Sequence, residues 1–178
     1  MILKANHIEP LTIVAGTREM RETVALWLLK RVEYIQELPG GYEAIGVARG
    51  TNLVGACLFT DYRPCPGGGS LTMWAAGHGW ISRRIIREML GYPFNPKPRG
   101  LGCHRITALI GRANKPSRKM VEDLGFVQEG KIRRGLSTTA DLMVYGLLRE
   151  ECRWLNPSPV LAALDKADRG GGNAVARG

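Results

Sequence analysis

Residues 114–135, NKPSRKMVEDLGFVQEGKIRRG, change periodicity in mid-stretch: a helical spacing stops at Leu124-Gly125-Phe126 and strand-like residues follow. Asn114 caps such a helix, Pro116 is tolerated in its first turn, and Gly125 is a C-terminal stop that Phe126 follows directly into a strand. A bounded helix that hands the chain straight to a strand places the protein among α/β (α+β) folds.

The rest of the chain repeats that alternation. Residues 8–15 read as a first strand, and residues 17–37 then place Met20, Val24, Leu28, Val32 and Ile35 at helical spacing until Leu38-Pro39-Gly40-Gly41 stops them. Two β-rich runs flank Arg49-Gly50-Thr51-Asn52, a hairpin signal; the run PCPGGG at 64–69 reads as a loop, and SLTMWAA as the next strand. After Gly77-His78-Gly79 comes a helix with Ile81, Ile85 and Met89 on one stripe and Arg83, Arg84 and Arg87 largely off it. A Pro-rich connection leads to the strand HRITALI, then to the helix from Asn114. Two closing strands, VQEGKIRR and DLMVYGLLRE, are joined by the polar turn at 137–140. Residues 1–155 are therefore expected to form one domain and residues 156–178, with their prolines and glycine tract, a loosely attached or disordered tail.

Charge narrows the partners without choosing one. Twenty-five Lys and Arg against sixteen Asp and Glu leave a net charge of +9, which favours nucleic acid, an anionic surface or a phosphorylated cofactor. No aromatic residues alternate with the basic ones as a base-stacking platform requires, so nucleic acid is not favoured. The four cysteines, Cys57, Cys65, Cys103 and Cys152, have no C-x-x-C spacing, and the apolar run Thr23 to Leu29 is too short to span a bilayer. The expectation is a cytoplasmic protein with no membrane partner. Cys103 and His104 imitate a metal pair, but adjacent strand residues point to opposite faces, so no metal site is expected.

Four signatures stand in order within about thirty residues: Arg105-Ile106-Thr107-Ala108, Asn114 to Ser117, Leu124-Gly125-Phe126 and Glu129 to Arg133. Together with the order of elements they resemble the GNAT superfamily of acyl-coenzyme A-dependent N-acyltransferases, in the branch that includes ribosomal-protein N-terminal acetyltransferases. The ending YGLLREECRWL is also similar to small phage-encoded acetyltransferases. The resemblance covers about residues 7–155. It implies a mixed, mostly antiparallel sheet of about seven strands flanked by helices, whose fourth and fifth strands splay apart to admit the pantetheine arm of acetyl-CoA. It implies transfer of an acetyl group to a primary amine, on a protein N-terminus or a small molecule.

On that resemblance, Trp74, Ala75 and Ala76 would line the pantetheine and supply an oxyanion donor. The diphosphate would sit at Gly77, Gly79, Ser82, Arg83 and Arg84, although the family's [RQ]-x-x-G-x-[GA] loop is absent there. The helix tyrosine of many members is Val121 here, so Ser117 becomes the implied proton donor, with Asn114 contacting pantetheine or the serine's water. Asn114 also reads simply as a cap. Arg112, Lys115, Arg118 and Lys119 would face the adenosine 3′-phosphate, with Arg118 and Lys119 the first choices. Asp61 and His78 are candidate bases that equally read as a surface carboxylate and a loop histidine. Arg105, Glu129 and Asp141 read as structural, and Trp80 as core.

Two other readings stay open at this stage. One is a catalytically silent module of the same fold that binds nucleic acid or protein, which the missing loop and tyrosine favour, as does Gly135-Leu136-Ser137 where some relatives place a carboxylate. The other is a phage enzyme that modifies DNA bases. A homodimer also stays open.

Overall fold

Local chemistry fixes where each helix starts. The computed structural model describes residues 9–32 and 34–155, so the expected tail at 156–178 lies outside the described residues. In chain order the elements are β1 (Leu11–Val14), α1 (Arg18–Leu29), β2 (Tyr42–Arg49), β3 (Asn52–Cys65), β4 (Gly68–Gly77), α2 (Arg83–Phe94), β5 (Arg105–Gly111), α3 (Lys115–Leu124), β6 (Val127–Ile132) and β7 (Leu142–Leu148). Thr17, Ser82 and Asn114 cap the three helices, each accepting a hydrogen bond from a first-turn N–H through its side chain. Gly125 closes α3 at φ +105°, a left-handed conformation that a residue with a Cβ resists.

Two expectations are corrected. Helical spacing predicts a first helix to about residue 37, but α1 ends at Leu29. There the Arg31 N–H bonds to the Leu28 carbonyl at 2.8 Å, and Arg31 Nη1 donates to the Trp27 carbonyl at 2.8 Å, satisfying terminal acceptors without another turn. Val32 and Ile35, β-branched and weak helix formers, instead pack against the core beneath α1. The run at 64–69 is not a loop either: β3 and β4 continue through it, with Cys65 paired to Gly68 across a tight hairpin.

The seven strands form one sheet in the order β1-β2-β3-β4-β5-β7-β6. Every neighbouring pair is antiparallel except β4 and β5, which are parallel. Alternate residues feed two cores. On one face Cys57, Phe59, Met73, Ile106 and Ala108 pack with Ile85, Met89, Leu90 and Phe94 of α2 and Val121 of α3. On the other, Ala44, Ala56 and Leu58 meet Val24, Ala25 and Leu28 of α1. Leu28 is fully buried, so its side chain contributes about 1.5–3 kcal/mol through burial. Among the described residues, no helix is long and apolar enough to cross a membrane.

Candidate active site

The parallel ladder between β4 and β5 is short. It runs from Ser70 opposite Arg105 to Met73 opposite Ala108, and there it stops. Beyond it, Trp74 to Gly77 stay paired with β3 and Leu109 to Gly111 with β7, but the two segments no longer pair with each other. Backbone groups of alternate residues on an antiparallel strand point to opposite edges, so both segments present N–H and C=O groups to the gap. A cleft of about 940 Å³ occupies it. Its lining includes Trp27, Tyr34 and Trp74 from the α1 side and Met89, Ser117 and Met120 from the α2 and α3 side, so the cleft passes through the sheet.

The mouth between α2 and α3 is built from two helix starts. Gly77 has φ +140°, and a Cβ there would lie 2.4 Å from the Val54 carbonyl oxygen, so only glycine lets the chain turn off the sheet at this point. The following loop is anchored by His78 N–H to the Val54 carbonyl at 3.0 Å and by Arg49 Nη2 to the Gly79 carbonyl at 3.0 Å. Trp80 is buried in the core and also touches the cleft. Ser82 Oγ takes the Ile85 N–H at 3.3 Å, which leaves the Arg83 and Arg84 N–H groups at the positive end of α2 without intrahelical acceptors.

Asn114 and Ser117 both line the cleft. Asn114 Oδ1 accepts the Ser117 N–H at 3.2 Å, which fixes the first turn of α3 at the rim and leaves the Ser117 hydroxyl outside that bond. The basic residues behind them part company. Arg118 is turned away: its Nε donates to the Tyr145 hydroxyl at 2.9 Å and its Nη1 to the Arg112 carbonyl at 3.3 Å. Lys119 pairs with Asp123 at 2.9 Å and lines a separate groove of about 420 Å³ with Ile81, Pro116 and Trp154. Arg112 pairs with Asp141 at 3.7 Å, whereas Lys115 has no ion pair among the described residues.

Of the predicted site residues, the structure therefore brings Trp74, Ala75, Ala76, Gly77, Asn114 and Ser117 to one cleft. Gly79, Ser82, Arg83 and Arg84 follow it on the loop and helix start, outside the lining, and Arg118 and Lys119 stand apart from it. His78 lines the cleft. Asp61 does not: its carboxylate accepts from Thr60, whose hydroxyl in turn accepts the Trp74 indole N–H at 3.0 Å. Glu129 is tied to Arg105 at 2.8 Å, and Asp141 accepts the Arg134 N–H at 2.9 Å. Each bond holds its carboxyl below the usual carboxylate range. Cys103 is buried while His104 is exposed, and among the described residues no three His, Cys, Asp or Glu gather as metal ligands.

Apart from Trp74, the α1 side of the cleft is not marked by any pattern in the sequence. Trp27, Arg31, Val32, Tyr34 and Leu136 line that mouth, where Tyr34 stacks at a tilt on Trp74 with ring centroids 6.2 Å apart. The signal is faint: Val32, Tyr34 and Ile35 crowd three weak helix formers into four residues.

This mixed seven-stranded fold is matched among solved structures. The spermidine N-acetyltransferase of Vibrio cholerae in complex with CoA and spermine is 20% identical, with a TM-score of 0.60 over 82% of this chain and 98% of that one. A chimera of that enzyme with hSSAT is also 20% identical, with a TM-score of 0.61 over 83% and 99%. The chain has the GNAT fold. A dodecameric form of the Vibrio cholerae enzyme matches the same GNAT framework at 17% identity and a TM-score of 0.58, over 79% and 94% of the two chains. At these identities the likeness is one of fold. No protein-family model and no curated protein sequence matches the chain.

Proposed function

We propose that the protein is an acetyl-CoA-dependent N-acetyltransferase that acetylates a primary amine by direct transfer inside the β4–β5 cleft. The observation that carries this reading is the abrupt end of the parallel ladder at Met73 and Ala108, which leaves two unpaired strand edges facing a cleft open on both faces of the sheet. A pantetheine arm is a chain of amides that suits such edges, and the residues present fit it: backbone groups of Trp74, Ala75 and Ala76 on one side and Leu109 to Gly111 on the other. The helix starts beside Gly77, Gly79, Ser82, Arg83 and Arg84 favour a diphosphate. Of the basic residues near α3, Lys115 is the one whose charge is neither paired nor turned inward among the described residues.

When bound, acetyl-CoA supplies the activated acyl group as a thioester. This chain's part is to position and to move protons. A backbone N–H on the edge of β4 that faces the gap stabilises the oxygen that gains charge. The Ser117 hydroxyl, at the rim, protonates the departing sulfur. One C–N bond forms as one C–S bond breaks, the amine gives up one proton and the thiolate gains one. No carboxylate lines the cleft among the described residues, which suits an α-amine of pKa about 8, already partly neutral at pH 7, better than a lysine of about 10.4.

Calorimetric titration with acetyl-CoA tests the reading. Saturable micromolar binding is expected. Absence of binding up to millimolar ligand, together with binding of duplex DNA that weakens steeply with salt, would transfer the fold to a nucleic-acid partner.

A further inference from the structure

The two mouths of the cleft differ in chemistry, and the difference bears on the acceptor. Helix N-termini stand at the α2–α3 mouth, so the anionic end of an acyl donor takes that side and the amine must come through the α1 mouth. There the walls are Trp27, Val32, Tyr34, Trp74 and Leu136, and among the described lining residues the one charged group on this side is Arg31. Its guanidinium lies 3.8 Å over the Trp27 ring while Nη1 donates to the Trp27 carbonyl at 2.8 Å. Both contacts fix the fork in place, and its other N–H groups have no carboxylate partner among the described residues.

A polyamine such as the spermine bound by the structural neighbour carries several positive charges at neutral pH, and a fixed cation with no carboxylate beside it repels its outer ammonium groups. This mouth offers aromatic faces and a fixed cation. We propose that the acceptor is a small primary amine with an apolar or aromatic body and a carboxylate at its far end, the carboxylate held by Arg31 and the body by Trp27, Tyr34 and Trp74. The assignment rests on the acetyltransferase reading and specifies its substrate class. A fixed planar fork binds a carboxylate in a bidentate manner, which an ammonium cannot reproduce.

The test uses the full chain, acetyl-CoA and three amines: para-carboxybenzylamine, benzylamine and spermidine. The carboxylated amine is expected to exceed benzylamine by about tenfold in kcat/KM, chiefly through KM, with spermidine slowest. Arg31→Gln closes the gap between the two benzylamines, and Arg31→Glu moves the preference toward spermidine. Because Arg31 also bonds the last carbonyls of α1, circular dichroism and acetyl-CoA titration accompany each variant, and the ranking by the unmodified protein stands without them. Spermidine as the fastest acceptor, equal rates for both benzylamines, or bound acetyl-CoA with no amine acetylated would each overturn the acceptor class while leaving the cofactor reading in place. Failure of acetyl-CoA to bind would remove both.

Discussion

Tyr34 and Gly111 meet across the cleft from opposite sides of its α1 mouth: a Cβ placed on Gly111 would lie 2.0 Å from the Tyr34 hydroxyl. Gly111 thus sets the width of that mouth by having no side chain. Gly111→Ala must displace the tip of the tyrosine ring, and because the tip is the far end of a side chain, the fold can yield there. The expected result is an amine KM raised about tenfold with an unfolding midpoint changed by only about 2–4 °C. Adding Tyr34→Ala should recover the room and part of the KM. An equal loss of acetyl-CoA affinity would move Gly111 from the acceptor side to the cofactor side.

Asn114 and Ser117 call for separate variants, since one residue caps α3 and the other is proposed to move a proton. Ser117→Ala should lower kcat about a hundredfold with acetyl-CoA affinity nearly unchanged. Unchanged turnover would remove Ser117 from the chemistry. Asn114→Ala should cost about 1 kcal/mol of stability, whereas Asn114→Ser keeps a capping oxygen and most of it. If both Asn114 variants weaken acetyl-CoA alike, the amide itself meets the donor. If only the alanine variant does, Asn114 is a cap.

What is legible in the sequence follows the range of the forces involved. Asn114, Ser117 and Gly125 could be placed because capping and left-handed stops act within four residues, and the structure sets them at the ends of α3. The hairpin at Gly50-Thr51 was readable for the same reason, with Arg49 opposite Asn52. Arg31 and Tyr34 were not, because Val32 and Ile35 keep a helical spacing while the forces that end α1, the Arg31 contacts to Trp27 and burial under α1, are side-chain and tertiary. Nor does any spacing reveal where the β4–β5 ladder stops: Trp74 and Leu109 belong to apolar runs that read like any paired strand. Arg118 shows the converse, a basic residue on a helix start that looks free in sequence and is held by Tyr145 in space.

Thiol chemistry separates the cysteines. Cys57 lines the cleft yet is buried, which pushes its thiol up to about 12, and burial pushes Cys103 up to about 11. Cys65 is exposed, beside His104 at 3.8 Å. Iodoacetamide at neutral pH should therefore alkylate Cys65 in the folded protein and reach Cys57 and Cys103 only after denaturation. Peptide mass spectrometry reads the outcome. Rapid native-state labelling of Cys57 would mean that the cleft wall opens to solvent.

Arg105 and Glu129 join β5 to β6 across β7, and they can do so because Gly146 lies beneath: a Cβ there would stand 2.2 Å from Glu129 Oε1 and 2.8 Å from Arg105 Nη2. The hydrogen bond from Arg105 holds the Glu129 carboxyl below its ordinary value; burial opposes it, and the Arg105 charge adds a smaller lowering. A carboxyl with a folded-state pKa below its unfolded one stabilises at pH values above the unfolded pKa, about 4.3 for Glu, and loses that contribution as pH falls through the lower folded value. Denaturation midpoints of the protein and of Glu129→Gln, measured from neutral pH down to about pH 3, should accordingly differ most at neutral pH and converge on acidification. Water reaches this pair, so the neutral-pH difference should stay within about 1 kcal/mol. Gly146→Ala should reproduce the loss by forcing the pair apart. A difference between the protein and Glu129→Gln that does not change with pH would show that the ion pair adds nothing beyond the packing of its two side chains.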